Sequence, residues 1–172
     1  MANKNDIKIR GKVLSSSLLI EELLNKIIFN FFIPKSVDKT TRSKFLELFV
    51  FNKTFGGKKQ IYCELLKTNR YKSKVVKQLK VAPVVINGII IYDFKSFKSL
   101  VTENLTKVIE IRNVIAHGYD ISKAFIALEE NEFIFANKNK YKKISESDID
   151  DYIKLTNDTL KLLEITAGSL QD

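Results

Sequence analysis

The chain contains one cysteine, Cys63, and one histidine, His117, so it can form neither an internal disulfide nor a metal site built from several cysteines or histidines. Two prolines and six glycines among 172 residues leave few places where a helix must break. Long uninterrupted apolar runs are also missing. Val13 to Pro34 is interrupted by Glu21, Glu22, Asn25 and Lys26 and carries no small-residue cleavage pattern, which argues against a membrane span or leader there. A cytoplasmic protein with no membrane partner is expected. Any acid–base chemistry that needs an imidazole must turn on His117 alone, and neither a metal nor a cofactor is expected.

A 45% hydrophobic, 28% charged composition describes a globular chain rather than a disordered one, and the length suits one domain spanning 1–172. The formal charge of +9 is unevenly spread. Residues 1–34 hold five basic and three acidic side chains, residues 35–80 thirteen and three, and residues 81–172 eleven and fourteen. The middle block therefore exceeds the whole net charge by itself, and its aromatics Phe45, Phe49, Phe51, Phe55, Tyr62 and Tyr71 are interleaved with the lysines. Such a block reads either as a solvated helical surface or as a track for a polyanion.

Apolar periodicity predicts an all-α antiparallel bundle with core helices at about 13–33, 45–80, 94–117 and 145–168. The first helix is expected to start near Ser15–Ser17 and to stop at Pro34. Within the second block the pattern divides into shorter candidates at Phe45–Val50, Lys58–Leu66 and Lys72–Leu79. The β-branched run from Val81 to Tyr92 is broken by Asn87-Gly88, the dipeptide of a type I′ hairpin turn. A second hairpin is expected over 125–135 around Glu129-Glu130-Asn131, and Ser145 should cap the last helix. Gly118 stands where a left-handed cap would end the third core helix.

That third helix carries a polar intrusion. On a wheel of ~100° per residue, Arg112 falls at the centre of the apolar stripe made by Val101, Leu105, Val108, Ile115 and Ala116. A guanidinium there must be paired or open onto a cavity. Glu21 lies on the apolar face of the first helix and is the expected partner, whether for structure or for a site. His117, Asn113 and Glu110 form a polar strip beside Arg112, with His117 at a helix C-terminus.

The string IEIRNVIAHGYD, residues 109–120, resembles the Arg-Asn-x-x-x-His signature of the HEPN superfamily, and His117-Gly118-Tyr119 is similar to the Arg-x-x-x-x-His-x-Tyr form of HEPN toxins. Together with the Glu21 helix and Phe55-Gly-Gly-Lys, the chain from about 13 to 120 also looks like the mannitol-repressor-like branch of these domains. The two expected hairpins depart from the family's plain four-helix form.

The resemblance implies an all-α bundle, a homodimer with the motifs facing a shared cleft, and metal-independent endoribonuclease activity in a toxin–antitoxin or phage-defence role. It assigns proton transfer to His117, phosphoryl charge stabilisation to Arg112, orientation to Asn113 and support of Arg112 to Glu21. Lys58, Lys59, Arg70, Lys72 and Lys74 would bind RNA, and Tyr119 matches the tyrosine that a partner nucleotidyltransferase antitoxin modifies. The alternative is a non-catalytic binding or regulatory module of the same fold.

Overall fold

The computed structural model describes residues 4–120, 132–137 and 140–168. These residues form an all-α bundle with two small antiparallel sheets inserted into it. Helix α1 spans Lys4–Phe32, α2 Lys39–Phe45, α3 Phe55–Leu65, α4 Asn69–Val81, α5 Phe94–His117 and α6 Glu146–Gly168. A π-helical stretch, Leu46–Phe51, continues α2. Strands β1 (Val84–Ile86) and β2 (Ile89–Ile91) make one sheet, and β3 (Tyr119–Asp120), β4 (Glu132–Asn137) and β5 (Lys140–Ser145) make the other, in that spatial order.

Helix α1 begins well before the three serines that were expected to start it. Their hydroxyls are turned inward to the helix, with Ser15 Oγ donating to the Gly11 carbonyl at 2.8 Å and Ser16 Oγ to the Lys12 carbonyl at 2.8 Å. Serine so bonded sits inside a helix without capping it. Burial of Ile9 and Val13 draws the earlier turns onto the core, overriding the local capping tendency.

The second core block is three separate helical pieces, because each break has its own cap. The side chains of Asp38, Thr54 and Thr68 accept from the backbone N–H of Thr41, Gly57 and Tyr71 respectively. Only α5 and α6 match the expected helix bounds almost residue for residue. Asp93 caps α5 by accepting from Ser96 N–H at 2.9 Å. Ser145 caps α6 reciprocally: its N–H donates to Asp148 Oδ2 at 2.8 Å, and the Asp148 N–H donates back to Ser145 Oγ at 3.3 Å.

The Asn87-Gly88 turn forms as expected, with Asn87 at φ 50° and Gly88 at φ 79° and Ile86 paired to Ile89 across it. The second β region differs from the expectation. Phe133 and Phe135 do lie in a strand, β4, but it pairs with β3 on one side and with β5 on the other. Strand β5, the lysine-rich KYKKIS, was not anticipated, and the first half of the expected 125–135 hairpin lies outside the described residues.

Helix α1 lies against α6, α3 and α5, and the shared core joins Val13, Ile20, Leu24, Val101, Leu105 and Leu163. Two side-chain contacts orient α3: Lys59 Nζ donates to Thr106 Oγ1 at 2.6 Å, and Cys63 Sγ lies 3.8 Å from Thr102 Oγ1. Rising numbers on α3 meet falling numbers on α5, so the two helices are antiparallel. Arg10 meets Ile115 and Gly118, which places the start of α1 at the end of α5 that carries His117.

Candidate active site

Helix α5 holds its final turns in place through a continuous buried stripe, Phe97, Val101, Leu105, Val108 and Ile115. Arg112 projects from that stripe, half-buried, while Asn113 is half-buried and His117 exposed. The Arg112 Nη1 donates to Asn113 Oδ1 at 3.1 Å and lies 3.4 Å from His117 Nε2. A guanidinium only donates, so this contact is a hydrogen bond in the tautomer that keeps the lone pair on Nε2. The three residues of the Arg-Asn-x-x-x-His string thus meet within the last turns of α5.

No carboxylate pairs with Arg112 among the described residues. Among the described residues, its Nε is buried without a hydrogen-bond partner. Burial pushes the Tyr152 phenol up to about 12, a rise partly offset by the Ser17 hydroxyl and by the Arg112 charge. Among the described residues, the positive charge of Arg112 has no fixed counter-ion.

Glu21 does not serve as the partner that was expected. Its Oε1 accepts from Lys58 Nζ at 2.6 Å, and the two side chains are 22% and 3% exposed. The pairing follows from helix order: α3 packs on α1 and carries Lys58 inward at the level of Glu21. Lys58, expected on an RNA-facing surface, is consequently a buried cation already neutralised.

The other basic residues are dispersed. Lys59 is half-buried against Thr106. Arg70 is exposed and stacks 5.7 Å from the centroid of the Phe31 ring. Phe31 and Arg10 are separated along α1 by a helical rise of roughly 30 Å, at ~1.5 Å per residue, so Arg70 sits at the end of α1 away from His117. Lys72 is exposed and Lys74 half-buried on the same short helix α4. The structure brings together Arg112, Asn113 and His117, and it does not bring Glu21, Lys58 or Arg70 to them.

Gly118 departs from the left-handed cap expected of it, with φ −79° and ψ 153°. Its glycine is demanded by space. A Cβ there would stand 2.2 Å from the Val114 carbonyl oxygen and 3.2 Å from that of Ala136. The chain leaves α5 directly into β3, where Tyr119 pairs with Ala136 of β4.

One residue at this end of the bundle escaped the sequence reading. Arg10 donates through Nη1 to the Ile115 carbonyl and, at 3.4 Å, to that of Ala116, and through Nη2 to the Gly118 carbonyl at 2.8 Å. The signal was available, because Arg10 lies about 40° from Leu24 on the same wheel and so intrudes on the apolar face of α1 much as Arg112 does on α5. Starting the helix at the serines concealed it.

Among the described residues, no group of three or more His, Cys, Asp and Glu side chains is arranged to hold a metal ion, and no helix is long and apolar enough to cross a membrane. Comparison of the chain with protein-family models, with curated proteins and with solved structures finds no significant match. The HEPN-like arrangement therefore stands on the helical bundle and the Arg112–His117 pair beside the small sheet.

Proposed function

We propose that this chain is a HEPN-type endoribonuclease that cleaves RNA without a metal ion, by attack of a 2′-hydroxyl on the adjacent phosphate, in a toxin–antitoxin or phage-defence setting. The observation that carries the reading is a half-buried guanidinium with no carboxylate partner among the described residues, 3.4 Å from the chain's only imidazole. A structural arginine at such a position is normally met by an acid. An unneutralised one favours an incoming anion, and its planar donor fork suits a phosphate.

In this mechanism the phosphate draws the Arg112 donors onto its non-bridging oxygens, which releases Nε2 of His117. Nε2 then takes the 2′-hydroxyl proton as the new O–P bond forms and the bond to the leaving 5′-oxygen breaks. Arg112 stabilises charge that grows on the phosphoryl oxygens, and Asn113 keeps the guanidinium turned toward His117. The leaving oxygen needs a proton as well. A homodimer facing its two motifs across one cleft would supply it from the second histidine, held there as the imidazolium. Arg70, Lys72 and Lys74 would act as an outlying electrostatic track, and Tyr119 would be the modification site for a nucleotidyltransferase antitoxin.

The test is RNA cleavage by purified protein in EDTA. Wild type is expected to cleave, with loss of cleavage on His117→Ala and a fall of about a hundredfold or more on Arg112→Ala, in line with the removal of an oxyanion-type donor. Both variants should keep the wild-type circular dichroism spectrum. Equal inertness of wild type and His117→Ala on varied RNAs would instead identify the non-catalytic binding module, a reading favoured by the burial of Lys58 away from any ligand.

A further inference from the structure

We propose that Arg10, more than a hundred residues upstream of the motif, is a positioning residue that sets where His117 stands relative to Arg112. Its kinetic consequence rests on the nuclease reading; its geometry does not. The last four carbonyls of an α-helix have no partner within the helix, and the final turn frays unless something holds them. In α5 that turn carries His117, whose side chain is exposed and whose one hydrogen-bonding contact among the described residues is the 3.4 Å approach to Arg112. Such a side chain goes where its backbone points it.

The backbone on both sides of His117 is fastened by a single guanidinium. Arg10 bonds the carbonyls of Ile115 and Ala116 just before the histidine and that of Gly118 just after it. The same guanidinium lies 4.9 Å from the centroid of the Phe135 ring in β4, so the clamp is itself braced from the sheet side. Gly118 completes the enclosure, since it has no room for a side chain between the Val114 carbonyl and the backbone of β4. Three carbonyls shared between the two terminal nitrogens of one side chain call for a planar fork with several donors. A lysine can satisfy one or two of them and keep the favourable charge at the helix C-terminus, but it cannot reproduce the set.

The chain's single histidine makes the test direct, because its ring gives one unambiguous set of NMR resonances. Wild type, Arg10→Met and Arg10→Lys are compared for RNA cleavage at saturating and limiting substrate and for the ring signals of His117 in the folded protein. Methionine keeps much of the apolar stem and removes every donor. Expected are a fall in kcat of about ten- to hundredfold for Arg10→Met with KM within about twofold, displaced or multiplied His117 resonances, and partial return of both in Arg10→Lys. A merely stabilising Arg10 would lower the melting temperature and leave the folded-state resonances and kcat unchanged, and that result overturns the proposal. If wild type cleaves no RNA, the nuclease reading fails on its own, and the ring resonances decide the role of Arg10 without it. Should Arg10→Met fail to fold, Arg10→Lys carries the decision: a reduced kcat with a moved resonance supports the clamp, and wild-type behaviour refutes it.

Discussion

Lys58, Arg10 and Arg112 each lie partly or wholly within the bundle, and each has a different solution to its charge. Lys58 is neutralised by Glu21, Arg10 spends its donors on helix-end carbonyls, and Arg112 faces the one histidine with no acid beside it among the described residues. The first solution makes a sharp prediction. Removing Glu21 strands a cation that is 3% exposed, so Glu21→Ala should destabilise the fold by about 3 kcal/mol, measured by urea unfolding. Lys58→Met should cost less, because the carboxylate left behind reaches water and methionine fills most of the volume. If Glu21 instead supported Arg112 directly, Lys58→Met would leave catalysis intact while Glu21→Gln would cut kcat in the fraction that folds. Equal kcat in both variants is expected. Wheel geometry identified Glu21 and Arg112 as polar residues on apolar faces, but it could not say that α3 would bring a lysine to Glu21 first.

At the scale of elements, the best-read helix is also the one whose end matters most. Helix α5 was legible from Phe94 to His117 because a single apolar stripe runs its length and Gly118 follows it. Its C-terminus was legible in position and misread in cause. An L-residue can adopt the extended backbone of Gly118, so no conformational strain forbids alanine there. The obstacle is the 2.2 Å approach of a Cβ to the Val114 carbonyl oxygen, which is backbone and cannot swing away. Gly118→Ala is therefore expected to cost about 2–3 kcal/mol in denaturant unfolding and to displace β3 from the helix end. Gly88, with φ +79° and open space around it, should lose only about 1 kcal/mol as alanine, through local strain in the hairpin turn. The hairpin of β1 and β2 was readable because the Asn-Gly signal is local. Strand β5 was not, since its alternation is carried by lysines and becomes a strand only by pairing with β4.

At the scale of the whole molecule, the core contains three tyrosines that must remain neutral. Burial raises the phenol of Tyr152 to about 12 and shifts those of Tyr62 and Tyr71 in the same direction from the ordinary value of 10.0. A phenol that ionises more readily in the unfolded chain contributes stability that is present in full below about pH 10 and is lost as pH rises through the folded-state value. Unfolding monitored by circular dichroism against pH should therefore show a plateau to about pH 10 and a steep loss above it, coincident with a rise in tyrosinate absorbance. Gradual, separate ionisation of these tyrosines in a folded chain would contradict their burial. The sequence by itself determined the helical class, the extents of α5 and α6, the Asn87-Gly88 turn and the placing of Arg112, Asn113 and His117 together at one end of α5, because each is carried by a local pattern. Only the tertiary structure decided that Glu21 belongs to Lys58, that Arg70 lies at the far end of α1 and that Arg10 closes α5 beside His117. Those outcomes depend on which helix faces meet and at what height, and helical periodicity defines a face without naming its neighbour.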